Sequence, residues 1–149
     1  MPVVTDHGRQ VAALPLDPVF AHFILRAAPL NCMSEALTAV SMLSAENVLY
    51  MPAHTSGAAD AAERREKAIL AHRSLAAYEG DVTTLIGVYE RWLRAGGKGG
   101  GERHRWCSEH FVNSRSMDRA HDVRNQLVTI VRRLGLDPMV SCGNGKSTR

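Results

Sequence analysis

Apolar residues recur along most of this chain at helical spacing. Val19, Phe20, Phe23, Ile24 and Ala27 fall on one face of a helix that Asp17 can cap and that Pro18 suits at its first position. Residues 29–31 end it. Ser34 is the expected cap of a second helix with Leu37, Val40 and Leu43 one turn apart, and residues 47–52 leave it as a short apolar connector. The two predict a helical hairpin. Residues 58–78 are rich in Ala, Glu, Arg and Lys with a thin stripe of Ala68, Ile69, Ala71 and Leu75, which predicts a mostly exposed helix.

Gly80 stops that helix and Asp81 is placed to cap the next, in which Val82, Leu85, Ile86, Tyr89, Trp92 and Leu93 keep helical spacing up to Gly96 and Gly97. A glycine-rich loop comes next. A short helix is predicted over residues 102–111, with Trp106 and Phe111 inward, and a long one over 114–134, stopped by Gly135. Met117, Ala120, Val123, Leu127, Ile130, Val131 and Leu134 form the apolar stripe of the long helix, and Arg115, Arg119, Asp122, Gln126 and Arg133 lie opposite. The expected core is Phe20, Phe23, Leu37, Leu43, Leu85, Tyr89, Trp92, Trp106, Phe111, Leu127 and Ile130. By contrast, residues 1–16 read as extended or irregular, because Val3, Val4 and Thr5 are β-branched, Gly8 interrupts and Pro15 disfavours helix before it. The fold class expected is all-α.

Length and composition narrow the class. At 149 residues, 45% apolar and 22% charged, the chain is of the size and make-up of one globular domain. It has no apolar run long enough for a membrane span and no apolar leader, so no membrane partner is expected. Cys32, Cys107 and Cys142 are three cysteines at unrelated spacings, which signals neither a disulfide framework nor a zinc ribbon and fits a reducing compartment. Charge is unevenly spread. Residues 1–90 carry 6 basic and 10 acidic side chains, residues 91–149 carry 12 and 5, and 15 of the 18 basic residues are arginine. Arginine forks onto phosphate and stacks on bases, which makes the basic half and its long helix a candidate nucleic-acid surface, while an arginine-rich bias equally fits a GC-rich genome.

Other chemistry is poorly supported. The GNGKST sequence at residues 143–148 has Val140 where a phosphate-binding loop has its first glycine, and no helix can follow it within the sequence. His104, Cys107 and His110 are spaced to converge on a metal, but a structural zinc site wants a fourth ligand, for which His121 is the nearest candidate; the spacing is read as coincidental, with no metal site expected. Seven histidines lack a nucleophile context, so no catalytic residue is assigned and a small hydrolase has nothing to stand on.

Four blocks in order carry a resemblance: TDHGRQVAALPLDP at residues 5–18, NCMSEALTAVSMLSAENVLYMP at 31–52, EGDVTTLIGVYERW at 79–92 and WCSEHFVNSRSMDRAHDVRNQL at 106–127. With them the chain resembles the helicase-associated region of DEAH-box RNA helicases, of the splicing-factor type. The resemblance implies that residues 1–16 are the last strand of a winged helix, 17–136 a ratchet-like helical bundle, and 137–149 a flexible tail leading to an OB-fold. It implies RNA binding to a single strand beside the motor domains, with Asn113, Arg115, Ser116 and Arg119 near the nucleotides and Arg124 in a weaker, partly structural role. Implied partners are single-stranded RNA, the motor domains and OB-fold of a parent helicase, and spliceosomal or ribosome-assembly proteins, with a nuclear location and the cytoplasm as the alternative. ATP and magnesium would belong to the motor domains, whose motifs this sequence lacks, so a fragment or short form without catalysis of its own and without a cofactor is expected. The rival reading is a free-standing protein-interaction bundle.

Overall fold

The computed structural model describes residues 1–53, 58–97 and 101–143. Among these residues the chain forms seven α-helices, α1 (Asp6–Ala13), α2 (Pro18–Ala27), α3 (Met33–Ser44), α4 (Ala58–Leu75), α5 (Asp81–Ala95), α6 (Glu102–His110) and α7 (Ser114–Arg133), with no strand and one isolated antiparallel bridge between Leu49 and Val112. The all-α expectation holds for these residues. They divide into two compact units, one formed by Met1–Ser41 with the chain from Asp122 on, the other by Met42–His121, so α3 and α7 contribute to both. The length had suggested a single domain.

The first unit begins with a correction. Residues 6–13 are a helix, where a winged-helix strand was expected. The Thr5 hydroxyl accepts the Gly8 N–H at 3.0 Å and caps the helix. Pro15 constrains only Leu14, which lies just past the helix end with ψ 128°. The β-branched residues precede the helix and Pro15 comes after it. In α2, Asp17 caps as expected, its Oδ1 accepting from Val19 N–H at 2.9 Å, and Pro18 takes the first position. Its buried residues are Ala21, Ile24 and Ala27, whereas Val19 and Phe23 face outward, with Phe23 46% exposed. Phe23 is therefore not a core residue. The next helix starts at Met33, ahead of the expected Ser34 cap, and Leu43 near its end is 44% exposed and likewise outside the core.

Leu14, Ala21, Ile24, Met33, Leu37, Val40, Leu127 and Val131 make the core of this unit, with Phe20, Ile130, Leu134, Leu136 and Val140 packed at its edge. Helix α7 stops as read: Gly135 takes φ 78°, and the Leu136 N–H turns back to the Val131 carbonyl at 3.1 Å. The segment after α7 is held in place as far as residue 141, where a flexible tail was expected. The Val140 carbonyl accepts the Ser34 N–H at 2.9 Å, the Ser141 hydroxyl bonds the Glu35 carboxylate, and Pro138 is buried. Residues 144–149, with most of GNGKST, lie outside the described residues, as do residues 98–100 of the glycine-rich loop.

The second unit is built around Trp92 and Tyr89 of α5, buried with Met42, Val48, Leu75, Val88, Cys107, Val112, Met117 and Ala120. Gly80 opens α5 with φ 124° and ψ −171°, a conformation essentially reserved for glycine, and Asp81 is the first helical residue where it was expected to cap. Helix α4 buries Ala68 and Leu75 and leaves Ile69 exposed, so it is the mostly solvated helix its composition indicated. Trp106 and Phe111 are half-buried at the edge of this unit.

Candidate nucleic-acid interface

The turn from α6 into α7 sets the geometry of the candidate site. Phe111 ends α6 in the left-handed region, φ 54° and ψ 45°, which costs a bulky residue about 1–3 kcal/mol and must be held by its surroundings. Those surroundings are visible. The Val112 N–H bonds the Cys107 carbonyl at 2.9 Å, the Tyr50 N–H bonds the Phe111 carbonyl at 3.1 Å, and the Asn113 N–H bonds the Val48 carbonyl at 2.7 Å. His72 adds a ring-nitrogen contact of 3.0 Å to the Phe111 carbonyl. The 48–50 connector is thus clamped to the start of α7.

Asn113 caps α7. Its Oδ1 accepts the N–H groups of Arg115 at 3.1 Å and Ser116 at 3.3 Å, satisfying two of the donors a helix N-terminus leaves open, while its Nδ2 donors take no part in the cap. The Ser116 hydroxyl donates to the Glu46 carbonyl at 2.6 Å, so that side chain pins α7 to the end of the α3 region. Arg115 and Arg119 are exposed one helical turn apart. The structure therefore brings Asn113, Arg115, Ser116 and Arg119 together, two as architecture and two as charge. Arg124 is different: its Nε donates to Thr38 Oγ1 at 2.9 Å and its Nη2 to Ser34 Oγ at 3.2 Å, tying α7 to α3 within the first unit.

Two surface cavities flank this turn. One of about 280 Å³ is lined by Tyr50, His104, Cys107, Ser108, Val112, Asn113, Ser114 and Arg115. The other, of about 390 Å³, is lined by Gly96, Gly97, Arg103, His104, Ser114 and Asp118. Arg103 lies over the Trp92 ring, 4.4 Å from its centroid. His104 Nδ1 and Ser114 Oγ, 3.4 Å apart, stand between the cavities.

Among the described residues no three His, Cys, Asp or Glu side chains are grouped to hold a metal. His110 stacks on Trp106 and its Nδ1 lies 2.8 Å from the Trp106 carbonyl, and His121 Nδ1 lies 2.7 Å from the Tyr89 hydroxyl. Cys107 is 1% exposed, and burial pushes its thiol up to about 11, with the Ser114 hydroxyl offsetting only part of that rise.

Comparison with known proteins assigns the family. Residues 17–85 match the helicase associated domain (HA2), ratchet-like. Nearly the whole chain is also similar to mouse ATP-dependent RNA helicase DHX33, 36% identical over 146 residues, covering 98% of this chain and 19% of that protein. The chain carries a helicase-associated domain of the kind found in DEAH-box RNA helicases. Two further relatives agree. The Arabidopsis thaliana pre-mRNA-splicing factor ATP-dependent RNA helicase DEAH10 is 34% identical over 146 residues, 92% of this chain and 19% of that protein. The Schizosaccharomyces pombe pre-mRNA-splicing factor ATP-dependent RNA helicase prp22 is 33% identical over 141 residues, 95% of this chain and 11% of that protein. The helicase-associated chain thus spans about a fifth or less of the length of these curated relatives. No helix among the described residues is long and apolar enough to cross a membrane.

Sequence reasoning missed Tyr50, His104 and Ser108 as lining residues of the smaller cavity. Tyr50 was read as part of an apolar connector, and the only signal for it was an aromatic residue two positions before Pro52 in a stretch too short to be a helix.

Proposed function

We propose that this chain is the RNA-binding accessory module of an ATP-dependent DEAH-box RNA helicase, gripping single-stranded RNA beside motor domains that supply ATP hydrolysis. The observation that carries this reading is the start of α7, where Arg115 and Arg119 stand exposed one turn apart on a helix whose first turn is capped by Asn113. Guanidinium groups so placed meet successive phosphates, while the positive end of the helix dipole adds to the attraction. The helicase relatives support the same reading, and the splicing factors among them favour a nuclear setting. Motor domains and an OB-fold of the parent are the expected protein partners, and ATP and magnesium belong with the former. Asn113 and Ser116 contribute by holding the turn, and Arg124 contributes mainly to stability.

The test is a filter-binding titration of the full chain against a single-stranded oligoribonucleotide over a range of salt. Each phosphate contact adds a slope of about −0.7 in log K against log salt for single strands. Arg115→Ala and Arg119→Ala should each flatten the dependence by about that amount. Salt-independent binding, or binding untouched by removing both arginines, refutes the reading and leaves a protein-interaction bundle in its place.

A further inference from the structure

The smaller cavity beside α7 offers more than charge. One wall is Tyr50, whose ring leans on Phe111 with centroids 5.9 Å apart and planes at 58°, and which is still 39% exposed. Its backbone N–H is bonded to the Phe111 carbonyl, and Arg115 lines the same cavity. Cys107 and Val112 also line it but are 1% and 2% exposed, so the apolar surface open to a ligand is chiefly the Tyr50 ring. The Ser108 hydroxyl donates to the His104 carbonyl at 3.2 Å and keeps its lone pairs as acceptors, and Ser114 Oγ lies 3.4 Å from His104 Nδ1.

A partly exposed aromatic ring, hydroxyl oxygens and one arginine lining a single cavity match the chemistry of a nucleotide: a flat ring that stacks, edges that hydrogen-bond, and a phosphate beside it. The cavity volume of about 280 Å³ falls just below the roughly 300–1,000 Å³ of small-molecule sites and leaves room for a single base. An acidic peptide would engage Arg115 and leave the Tyr50 ring unused. We propose that this cavity is a subsite for a single nucleobase of a bound RNA strand, with Tyr50 stacking on the base and Arg115 holding the adjoining phosphate. The inference rests on the reading of the chain as a single-strand RNA-binding module and adds to it a contact that does not depend on phosphate charge.

The full chain is titrated with a short oligoadenylate and with an abasic strand of the same length, which keeps the phosphates and removes the bases. Base–aromatic stacking of the usual strength makes the wild-type chain prefer oligoadenylate by about 5- to 100-fold. Tyr50→Phe should keep that preference. Tyr50→Leu, which retains apolar contact with Phe111 but has no ring, should abolish it without changing the salt slope. Equal affinity of the wild type for the two strands overturns the subsite, yet leaves the proposed function standing if that binding is salt-dependent. A preference that survives Tyr50→Leu also overturns it, as does displacement of the RNA by polyglutamate as efficiently as by unlabelled oligoadenylate. Absence of binding to either strand at low salt defeats the proposed function itself.

Discussion

Arg115 and Arg124 are the same residue type on the same helix, and their surroundings give them different work. Arg115 is exposed at the turn, whereas Arg124 is half-buried and donates to the hydroxyls of Thr38 and Ser34. Hydrogen bonds from a charged donor contribute about 1.5–3 kcal/mol, and removing this donor takes a partner from Thr38, which is 5% exposed. Arg124→Ala should therefore lower unfolding stability by about 1–3 kcal/mol in urea and leave the salt slope of RNA binding unchanged. This difference was only partly legible in the sequence. Both arginines stand in a basic half, but the partners of Arg124 lie on α3, far away along the chain, and no local pattern reveals them. Phe23 and Leu43 were misplaced for a related reason. Each sits in a helix with apolar residues on more than one side, so helical spacing alone does not say which side is inward.

At the scale of elements, start and stop chemistry was the most readable part. Asp17 with Pro18 and the Gly135 stop appear where the sequence put them, whereas Ser34 and Asp81 lie within the helices they were read as capping. Helix α1 was missed because the β-branched residues ahead of it and Pro15 after it drew the whole segment into one extended reading, although Val11 packs at the edge of the core and the Thr5 hydroxyl caps the helix. The cap of α7 separates architecture from binding. Asn113→Asp keeps an oxygen to accept the Arg115 and Ser116 N–H groups and adds a negative charge at a helix N-terminus, so stability should hold or rise by about 0.3–1 kcal/mol. The same charge beside Arg115 should weaken single-stranded RNA binding several-fold. Thermal melts and titrations on one preparation check both halves, and unchanged affinity would place the RNA path away from this turn.

Across the whole molecule, the uneven charge and the four sequence blocks pointed to the right family, and seven helices with no strand among the described residues agree with the all-α reading. What the sequence did not disclose was the partition into two compact units or the cavity at Tyr50, since both depend on which distant segments meet. The 48–50 connector, unremarkable as a string of residues, is bonded to Phe111 and Asn113, and its Tyr50 lines the cavity beside α7. The stretch after α7 has a practical meaning for dissecting the protein. Because the Val140 carbonyl takes the Ser34 N–H and Leu136 and Val140 pack at the edge of the core, the folded boundary lies beyond the last helix. Half-burial of those two side chains contributes about 2 kcal/mol together. A chain cut after Gly135 should melt about 4–8 °C lower than one cut after Gly143, measured by circular dichroism. Seven helices would thus make a poor cutting guide, and the short non-helical strap at α3 marks where the scissors belong.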